Sequence, residues 1–483
     1  MIKSSFSNDS NYGWSFIDKG NYKLSIIGND TAINSVINYF ENSSDLENSD
    51  DLEIFLNTLT SNFAFVYQDK FFLVAAVDRV SSYNIFYYNY GNVIQFSNSS
   101  RLLANDYKET TIDNSSVLNL RMAGYVLGKN TILKNIYRIG AGEYALYCRN
   151  KLVVHEYTRF YSHKSLKKSK DDLIEELDYI TDNIFLRNIN NANGATIWVP
   201  LSGGLDSRLV LCKLLQLGYD NIRTFSFGTP KSYDVLRAQE VAKRLNVNWT
   251  FLTPALDHLK SYYNSKDRSD YWRYADGLFT VPNLQWMYAM RKLIESKEMN
   301  YGDVIINGNS GDFITGQNTP TIYNSGLNSF HSKIIKKHFS FNSSLLNEST
   351  IRDIIDHITD VLPKDVNQLE KLYDLWEWKE RQSKRVVNAQ RNYEYLGLRW
   401  ELPLWDKEYF EFWRELDISH RTNGSLYFQY LECKNFYGLF KEYKPFMSRW
   451  PKNRLYIQFI GSIIKYTLGQ SVSQQYYKRL DWY

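Results

Sequence analysis

An apolar run over residues 195–201 leads directly into a glycine-rich loop, and this junction constrains the fold more than any other part of the sequence. The run is apolar on both faces, which is typical of a buried strand in a parallel sheet. The loop, residues 202–207, reads S-G-G-L-D-S, and its two glycines allow backbone N–H groups to approach an anion that side chains would exclude. Leucine and valine then recur on one face until Gly218, which indicates a helix that ends there. We therefore predict a strand, a phosphate-binding loop and a helix in succession.

The chemistry that suits this loop is nucleotide binding. A diphosphate at the start of the helix would meet unpaired N–H groups and the positive end of the helix dipole. Asp206 could then hold the Mg²⁺ ion that neutralises the phosphate oxygens. The loop does not match the Walker pattern G-x-x-x-x-G-K-[ST]. It resembles the S-G-G-x-D-S signature of the PP-loop ATP pyrophosphatases, and this resemblance implies cleavage of ATP between its α and β phosphates. A tight turn without a ligand is the alternative, although six matching positions favour the nucleotide.

Length, charge and cysteine content narrow the class of protein. The chain has 483 residues, enough for two or three domains, and its net charge of +4 gives no reason to expect a nucleic-acid partner. No apolar run approaches the roughly 20 residues of a membrane span, and the first residues lack the apolar core of a secretory signal. Cys148, Cys212 and Cys433 lie far apart and form no CxxC pair, which argues against zinc and a disulfide framework. We expect a cytoplasmic protein with no membrane span.

The order of predicted elements divides the chain in two. Residues 1–160 are rich in short apolar or alternating runs separated by turns, with predicted strands at residues 63–67, 71–77, 84–88 and 93–96 and a hairpin at 142–147 and 151–154. Residues 161–170 are polar and basic, as in a linker. Ser169 then begins a capping box and a helix. We predict one domain over residues 1–160 and a second over residues 170–483.

In the second domain strands and helices alternate. Strands are predicted at residues 223–227, 249–252 and 304–306, and helices at residues 233–245 and 286–296. This alternation predicts a parallel, doubly wound sheet. Beyond residue 340 the pattern is mainly helical, with the clearest segments at residues 351–361 and 366–389.

A second glycine-rich loop follows the predicted strand at residues 304–306. Ligands of doubly wound sheets bind beyond the carboxyl ends of the strands, so this loop should lie near the first. Its residue Asp312 supplies a second carboxylate, and one or two carboxylates plus phosphate oxygens are what Mg²⁺ usually takes. Phe227, at the end of another strand, could border the adenine. A plain surface turn is the alternative for residues 307–316. The predicted contacts to ATP or pyrophosphate are Leu201, Ser202, Gly203, Gly204, Leu205, Asp206, Ser207, Phe227, Asn307 and Gly308.

Together these features resemble the asparagine synthetase family over nearly the whole chain. Residues 307–313 occupy the place of its S-G-E-G-x-D-E motif, and Pro403 and Asp406 match a late E-x-R-x-P-x-x-D segment. Lys452, in Arg449-Trp450-Pro451-Lys452, matches the family's essential lysine, which would place fixed positive charge on phosphate oxygens. An exposed lysine in a turn is the alternative. The N-terminal 160 residues resemble the family's glutaminase-type sandwich of the N-terminal-nucleophile fold, with Phe63-Ala64-Phe65, Asp78-Arg79, Tyr87-Tyr88 and Phe96-Ser97 in the family's order.

Several positions depart from the family pattern. Position 2 is isoleucine where glutamine-dependent members expose a cysteine nucleophile, so we expect no glutamine hydrolysis by that route. Asn309 and Phe313 replace glutamates of the second motif, and an amide cannot act as a base, which argues against aspartate as the substrate. Arg399 replaces another glutamate. Arg208, directly after the first loop, could help bind or release pyrophosphate, or could pair on the surface.

The resemblance implies an ATP-dependent, AMP-forming ligase that joins a substrate carboxylate to an amine or ammonia. Asp206 and Asp312 would hold Mg²⁺, and Lys452 would stabilise charge during catalysis. Among branches without the cysteine, we favour amidation of a sugar acid in surface-polysaccharide biosynthesis. An asparagine synthetase using ammonia, a lasso-peptide or β-lactam type cyclase, and a non-catalytic nucleotide-binding scaffold stay open as alternatives. A homodimer is one assembly that we expect.

Overall fold

Three β-sheets and the helices around them form the regular structure in the computed structural model, which describes residues 3–42, 49–91, 93–107, 110–253, 256–319, 326–363 and 368–441. The architecture is mixed α/β, as the sequence predicts. Two sheets belong to the first 156 residues, and the third spans residues 197–401.

The first two sheets have four and six strands, in the orders β1-β7-β6-β8 and β10-β9-β5-β4-β3-β2. Strands β1 and β7 are parallel, and the other neighbours are antiparallel. The predicted hairpin is confirmed as β9 and β10. The strands are β1 (Lys3–Ser7), β2 (Ser15–Asp18), β3 (Lys23–Gly28), β4 (Phe63–Gln68), β5 (Phe72–Val77), β6 (Phe86–Tyr90), β7 (Val93–Ser97), β8 (Ile136–Arg138), β9 (Glu143–Cys148) and β10 (Lys151–Glu156).

These two sheets pack face to face, and helices cover their outer faces. The helices are α1 (Asp30–Asn42), α2 (Ser49–Thr58), α3 (Ser100–Asp106) and α4 (Asn114–Ala123). Strand β4 shows the two-residue period of a strand buried on both sides. Ala64 and Val66 contribute to the apolar core between the sheets, whereas Phe63, Phe65 and Tyr67 pack in the core that includes α1 and α2.

The third sheet is parallel, as predicted, and has the strand order β13-β12-β11-β14-β15. Its strands are β11 (Ile197–Pro200), β12 (Ile222–Phe227), β13 (Asn248–Leu252), β14 (Val304–Ile306) and β15 (Arg399–Glu401). The predicted apolar run forms the central strand β11, where every residue is buried. Trp198 is fully buried, and its indole Nε1 donates to Asp303 Oδ2 at 2.9 Å, so the one polar atom of its ring is satisfied. The central position of β11 places the following loop in the middle of the sheet's carboxyl edge.

The remaining helices surround this sheet and continue to residue 434. They are α5 (Lys170–Ala192), α6 (Asp206–Gln216), α7 (Tyr233–Arg244), α8 (Leu256–Tyr263), α9 (Lys266–Ala275), α10 (Met287–Glu295), α11 (Gly311–Ile314), α12 (Gly326–His338), α13 (Glu348–Val361), α14 (Leu369–Glu377), α15 (Arg391–Tyr395), α16 (Lys407–Glu415), α17 (Ile418–Arg421) and α18 (Ser425–Lys434). Ser169 caps α5 by accepting a hydrogen bond from the Asp172 N–H, as the capping box predicts. None of the helices in these ranges has the length and apolar character to cross a membrane.

The segment predicted as one helix over residues 366–389 is not a regular α-helix. Residues 364–367 lie outside the described residues. Helix α14 continues as a π-helix over Trp378–Val386 and a 3₁₀ turn over Val387–Gln390. Side chains of the π-helix bond to the N-terminal part of the chain: the Trp378 Nε1 donates to the Arg79 carbonyl at 2.9 Å, and Lys384 Nζ donates to the Val126 and Gly128 carbonyls. Because these partners are distant in the sequence, no local pattern indicates that the helix is irregular.

Candidate functional site

The first loop lies at the carboxyl edge of the parallel sheet, between β11 and α6. Leu201 fixes its start, because its N–H donates to the Phe225 carbonyl at 2.9 Å and its own carbonyl accepts from Ser226 Oγ at 2.6 Å. Trp249 Nε1 donates to the same Ser226 oxygen at 2.9 Å. Three neighbouring strands therefore hold the point at which the loop leaves the sheet.

Within the loop, serine side chains close a tight turn. Ser202 N–H donates to Ser207 Oγ at 3.1 Å, and Gly204 N–H donates to Ser202 Oγ at 3.2 Å. Helix α6 begins at Asp206, and its N-cap residue Leu205 provides no side-chain cap to the first turn. The first N–H groups of a helix have no partner inside the helix. An uncapped start beside two glycines is therefore suited to an anion.

The second loop packs directly against the first. A Cβ atom at Gly308 would lie 2.7 Å from the backbone carbon of Asp206, and one at Gly311 would overlap the Asp206 carboxyl carbon. Glycine is therefore required at both positions for the loops to meet. Asp312 follows Gly311 immediately, at the start of α11. The structure thus places Asp312 directly after the glycine that touches Asp206, near enough for its charge to raise the pKa of Asp206.

The electrostatics of Asp206 reflect this crowding. The pKa of its carboxyl group is raised to about 7, mainly by burial and in smaller part by the charge of Asp312, against the opposing effect of the Tyr427 hydroxyl. The Tyr427 hydroxyl, from α18, donates to Asp206 Oδ1 at 2.7 Å. Asp312 is exposed, and Asn318 Nδ2 donates to its Oδ2. A divalent cation shared by these two carboxylates would favour the ionised form of Asp206.

Asn307 and Phe227 have neighbours that the sequence does not reveal. Asn307 is buried, and its Nδ2 donates to Gln390 Oε1 at 3.0 Å while its Oδ1 accepts from the Asn309 N–H at 3.0 Å. The amide of Asn307 therefore fixes the shape of the second loop. Phe227, at the end of β12, packs edge-on against Trp286 with ring centroids 5.0 Å apart.

Arg208 does not pair on the surface, so that alternative is wrong. Its side chain is fully buried. The guanidinium donates to the Leu439 carbonyl at 2.8 Å and to the Gly203 carbonyl at 3.2 Å. The guanidinium thereby links the first loop to the chain near residue 440, because it binds one carbonyl from each.

Two residues of the site are absent from the sequence prediction. Tyr427 is one. The other is Asp234, at the start of α7, whose Oδ1 would lie 2.5 Å from a Cβ atom at Gly203. Asp234 lies at the start of the helix that follows β12, and this position at the carboxyl edge of the sheet could have marked it as a site residue. No comparable signal marks Tyr427.

The donor set at the junction of the loops fits a hard cation. Two carboxylates beside a phosphate-binding loop are what Mg²⁺ uses together with phosphate oxygens. Within the described ranges, no group of three or more His, Cys, Asp or Glu residues could hold a metal by itself. The proposed site thus depends on the nucleotide to complete the coordination. Lys452, the predicted catalytic lysine, lies outside the described residues.

Comparison with known proteins adds a family. Residues 195–432 match the family described as asparagine synthase. No curated protein gives a significant match. Two solved structures are similar at a TM-score of 0.21 each: the "allosteric regulatory enzyme of purine biosynthesis", at 8% identity over 67% of this chain and 60% of that chain, and the glutamine phosphoribosylpyrophosphate amidotransferase of B. subtilis complexed with ADP and GMP, at 10% identity over 71% of this chain and 70% of that chain. The chain thus spans less than two thirds of the first of these.

Proposed function

Because residues 195–432 make the chain a member of the asparagine synthase family, we propose that it is an ATP-dependent, AMP-forming ligase that joins a carboxylate to an amine. One observation carries the proposal. Gly311 lies against the Asp206 carboxyl group at the uncapped start of α6, and the next residue, Asp312, acts on Asp206 through its charge. This is the arrangement that a magnesium-bound pyrophosphate needs.

The chain's own residues would act as follows. The N–H groups of Gly203 and of the first turn of α6 would hold the β and γ phosphates. Asp206 and Asp312 would hold Mg²⁺, which supplies positive charge to the phosphate oxygens. The substrate carboxylate attacks the α-phosphorus and pyrophosphate leaves, and an amine then attacks the acyl carbon and AMP leaves. Lys452 is proposed to stabilise the charge that develops on the phosphate.

We further propose the finer fold assignment. Two facing sheets with helices outside them support an N-terminal-nucleophile type sandwich over residues 1–160, and the loop at residues 202–207 supports a PP-loop arrangement within residues 170–483. The only cysteine among the first 160 residues is Cys148, at the end of β9 rather than at the start of β1. We therefore propose that this sandwich does not hydrolyse glutamine, and that the amine comes from ammonia, from the substrate itself or from a partner.

The acceptor that we propose is a sugar acid used in surface-polysaccharide biosynthesis. Asn309 stands where asparagine synthetases have a glutamate, and its N–H donates to the side chain of Asn307. An amide at this position cannot serve as a base, which disfavours aspartate. Amidation of aspartate, intramolecular cyclisation and nucleotide binding without catalysis are the competing outcomes of the assay below.

The assay measures pyrophosphate and AMP released from ATP in the presence of Mg²⁺, ammonia and one carboxylate at a time, with glucuronate, galacturonate and aspartate as the first three. We expect release with a uronate, and a loss of at least about 100-fold in Asp206→Asn, because the neutral amide lacks the negative charge that would hold the cation. Asp220→Asn, at an exposed aspartate before β12, is the matched control and should keep full activity. Equal release by Asp206→Asn and wild type would exclude the assignment of Asp206.

A further inference from the structure

We propose that Lys337 and Arg381 form an anion subsite beside the second loop, which binds a second negative group on the acceptor. The inference rests on the proposed function for the identity of the first group, the carboxylate that is activated. It assigns the acceptor to the class of molecules with two anionic groups, such as a phosphorylated sugar acid.

The two cations are held by one buried carboxylate. Glu377, the last residue of α14, is fully buried. Its Oε2 lies 3.0 Å from Lys337 Nζ on α12, and its Oε1 lies 3.2 Å from Arg381 Nη1 on the π-helix. The side chains of Lys337 and Arg381 are 37% and 36% exposed, so each charged group is fixed from inside the protein and still faces solvent. Because both side chains are already held in place, they lose less conformational entropy when an anion binds.

The cluster has an excess of positive charge. Glu377 offsets one of the two cations, and burial lowers the pKa of the neighbouring His338 to about 3, so His338 is neutral at pH 7. Arg385 adds a further cation one π-helical turn beyond Arg381. Burial lowers the pKa of Arg385, and the like charge of Arg381 lowers it further. An added anion would relieve this repulsion between like charges.

A chain of direct contacts connects the cluster to the candidate active site. Gln382 Nε2 donates to Glu377 Oε1 at 3.2 Å, and Gln382 Oε1 accepts from Ser310 Oγ at 2.8 Å. Ser310 has a left-handed backbone, with φ of 69°, directly before Gly311, which touches Asp206. A π-helix widens the turn at residues 378–386, and such segments occur frequently at functional sites. Glu377 is therefore two hydrogen bonds away from the second loop, and each cation is one contact further.

The chemistry of the pair selects for phosphate or carboxylate. Arginine offers a planar fork of donors and lysine offers a compact charge, and both suit oxygens that carry negative charge. A substrate that places its reacting carboxylate near Asp312 and a second anion at this cluster would be held at both ends. Such two-point binding supplies the orientation that speeds the reaction.

The test compares glucuronate with glucuronate 1-phosphate by isothermal titration calorimetry. Full-length protein is first saturated with Mg²⁺ and α,β-methylene-ATP, which occupies the loop and cannot be cleaved between its α and β phosphates. We expect wild type to bind the phosphorylated sugar at least about tenfold more tightly, as one good charged contact allows. Lys337→Gln and Arg381→Gln should each remove most of this preference. Lys336→Gln, at the adjacent exposed lysine of α12, should keep it.

Charge-conserving variants separate the charge from the packing. Lys337→Arg and Arg381→Lys should retain the phosphate preference, and added salt should weaken it in wild type. An equal affinity for the two sugars in wild type, no binding of either, or a preference that survives in both glutamine variants would overturn the subsite. A phosphate preference without pyrophosphate release from ATP on any acceptor would sustain the subsite and reject the ligase. Pyrophosphate release with equal KM values for the two sugars would sustain the ligase and reject the subsite.

Discussion

Tyr427 donates its hydroxyl hydrogen to Oδ1 of Asp206 across 2.7 Å, joining α18 to the first turn of α6. Tyr427 is fully buried, so this hydroxyl has no competing water. One carboxylate oxygen of Asp206 thereby accepts a hydrogen bond, and no residue in the described ranges donates to the other, which would be available to a cation. The C-terminal helices thus orient a group at the phosphate-binding loop, although they are remote from it in the sequence.

Tyr427→Phe should weaken binding of the divalent cation by roughly three- to tenfold, since it removes a hydrogen bond to a charged group. The measurement is titration of Mn²⁺ in the presence of α,β-methylene-ATP, followed by electron paramagnetic resonance. Tyr430→Phe is the matched control, because Tyr430 lies one turn later on the same buried face of α18 and donates to Asp178 at 3.0 Å instead. A control variant that loses as much Mn²⁺ affinity would show that the effect is structural.

Gly311→Ala should disrupt the junction of the two loops, because the added methyl group would overlap the Asp206 carboxyl group. We expect a destabilisation of about 1–3 kcal/mol from overpacking and a loss of magnesium-dependent binding of the ATP analogue. Gly204→Ala is the comparison, since its Cβ would meet only the rotatable Ser202 hydroxyl at 3.2 Å, and its free energy of unfolding should change less. Urea unfolding measures the first effect and calorimetry the second. Wild-type binding by Gly311→Ala would contradict this packing.

Local sequence patterns predict the two loops of the candidate site, whereas its long-range contacts cannot be predicted from the sequence. The strand, loop and helix around residues 197–216 were readable because apolar runs, adjacent glycines and helical periodicity are all properties of neighbouring residues. The second loop followed from the rule that parallel strands share a carboxyl edge. Tyr427 could not be predicted, because nothing in the sequence distinguishes it from Tyr430 and its partner is 221 residues away.

Strand β15 and the irregular helix over residues 366–389 could not be predicted for a related reason. Strand β15, Arg399–Glu401, is charged at both ends, so it lacks the apolar run that marks the equally short β14, and it is defined by its pairing with β14. The interruption of the helix predicted over residues 366–389 depends on buried polar partners such as the Arg79 carbonyl. Propensity and periodicity describe a chain that has no partners, so contacts made by tertiary packing override them.

The buried ion pair between Glu380 and Lys384 should be costly to break. Lys384 Nζ lies 2.5 Å from Glu380 Oε2, and both side chains are almost fully buried. Lys384→Met would leave an uncompensated charge, which we expect to destabilise the protein by about 3–5 kcal/mol in urea unfolding. The double variant Glu380→Gln with Lys384→Met removes both charges and should recover part of this loss. A double variant less stable than Lys384→Met would refute the explanation by charge.

Glu401 should make the stability of the protein fall as pH rises from about 4.5 to 7. It lines a cavity of about 130 Å³ between the N-terminal sandwich and the parallel sheet, and Asn191 Nδ2 donates to its Oε1 at 3.1 Å. The pKa of Glu401 is raised from 4.5 to about 7, mainly by burial and in smaller part by the charge of Asp406, against the opposing effect of the Asn191 hydrogen bond. The unfolded chain therefore releases this proton at a lower pH than the folded protein. The free energy of unfolding falls as pH rises from about 4.5 to 7, and this contribution stays constant at higher pH.

Glu401→Gln cannot ionise and should remove this part of the pH dependence. At pH 8 we expect the variant to be more stable than wild type by roughly 2–3 kcal/mol, whereas near pH 4.5 the two should be similar. Urea unfolding at pH 4.5, 6, 7 and 8 measures the difference. Glu411→Gln, a partly buried glutamate on α16, is the control and should follow wild type across the series. A stability gap that does not widen between pH 4.5 and 7 would show that Glu401 does not titrate in this window.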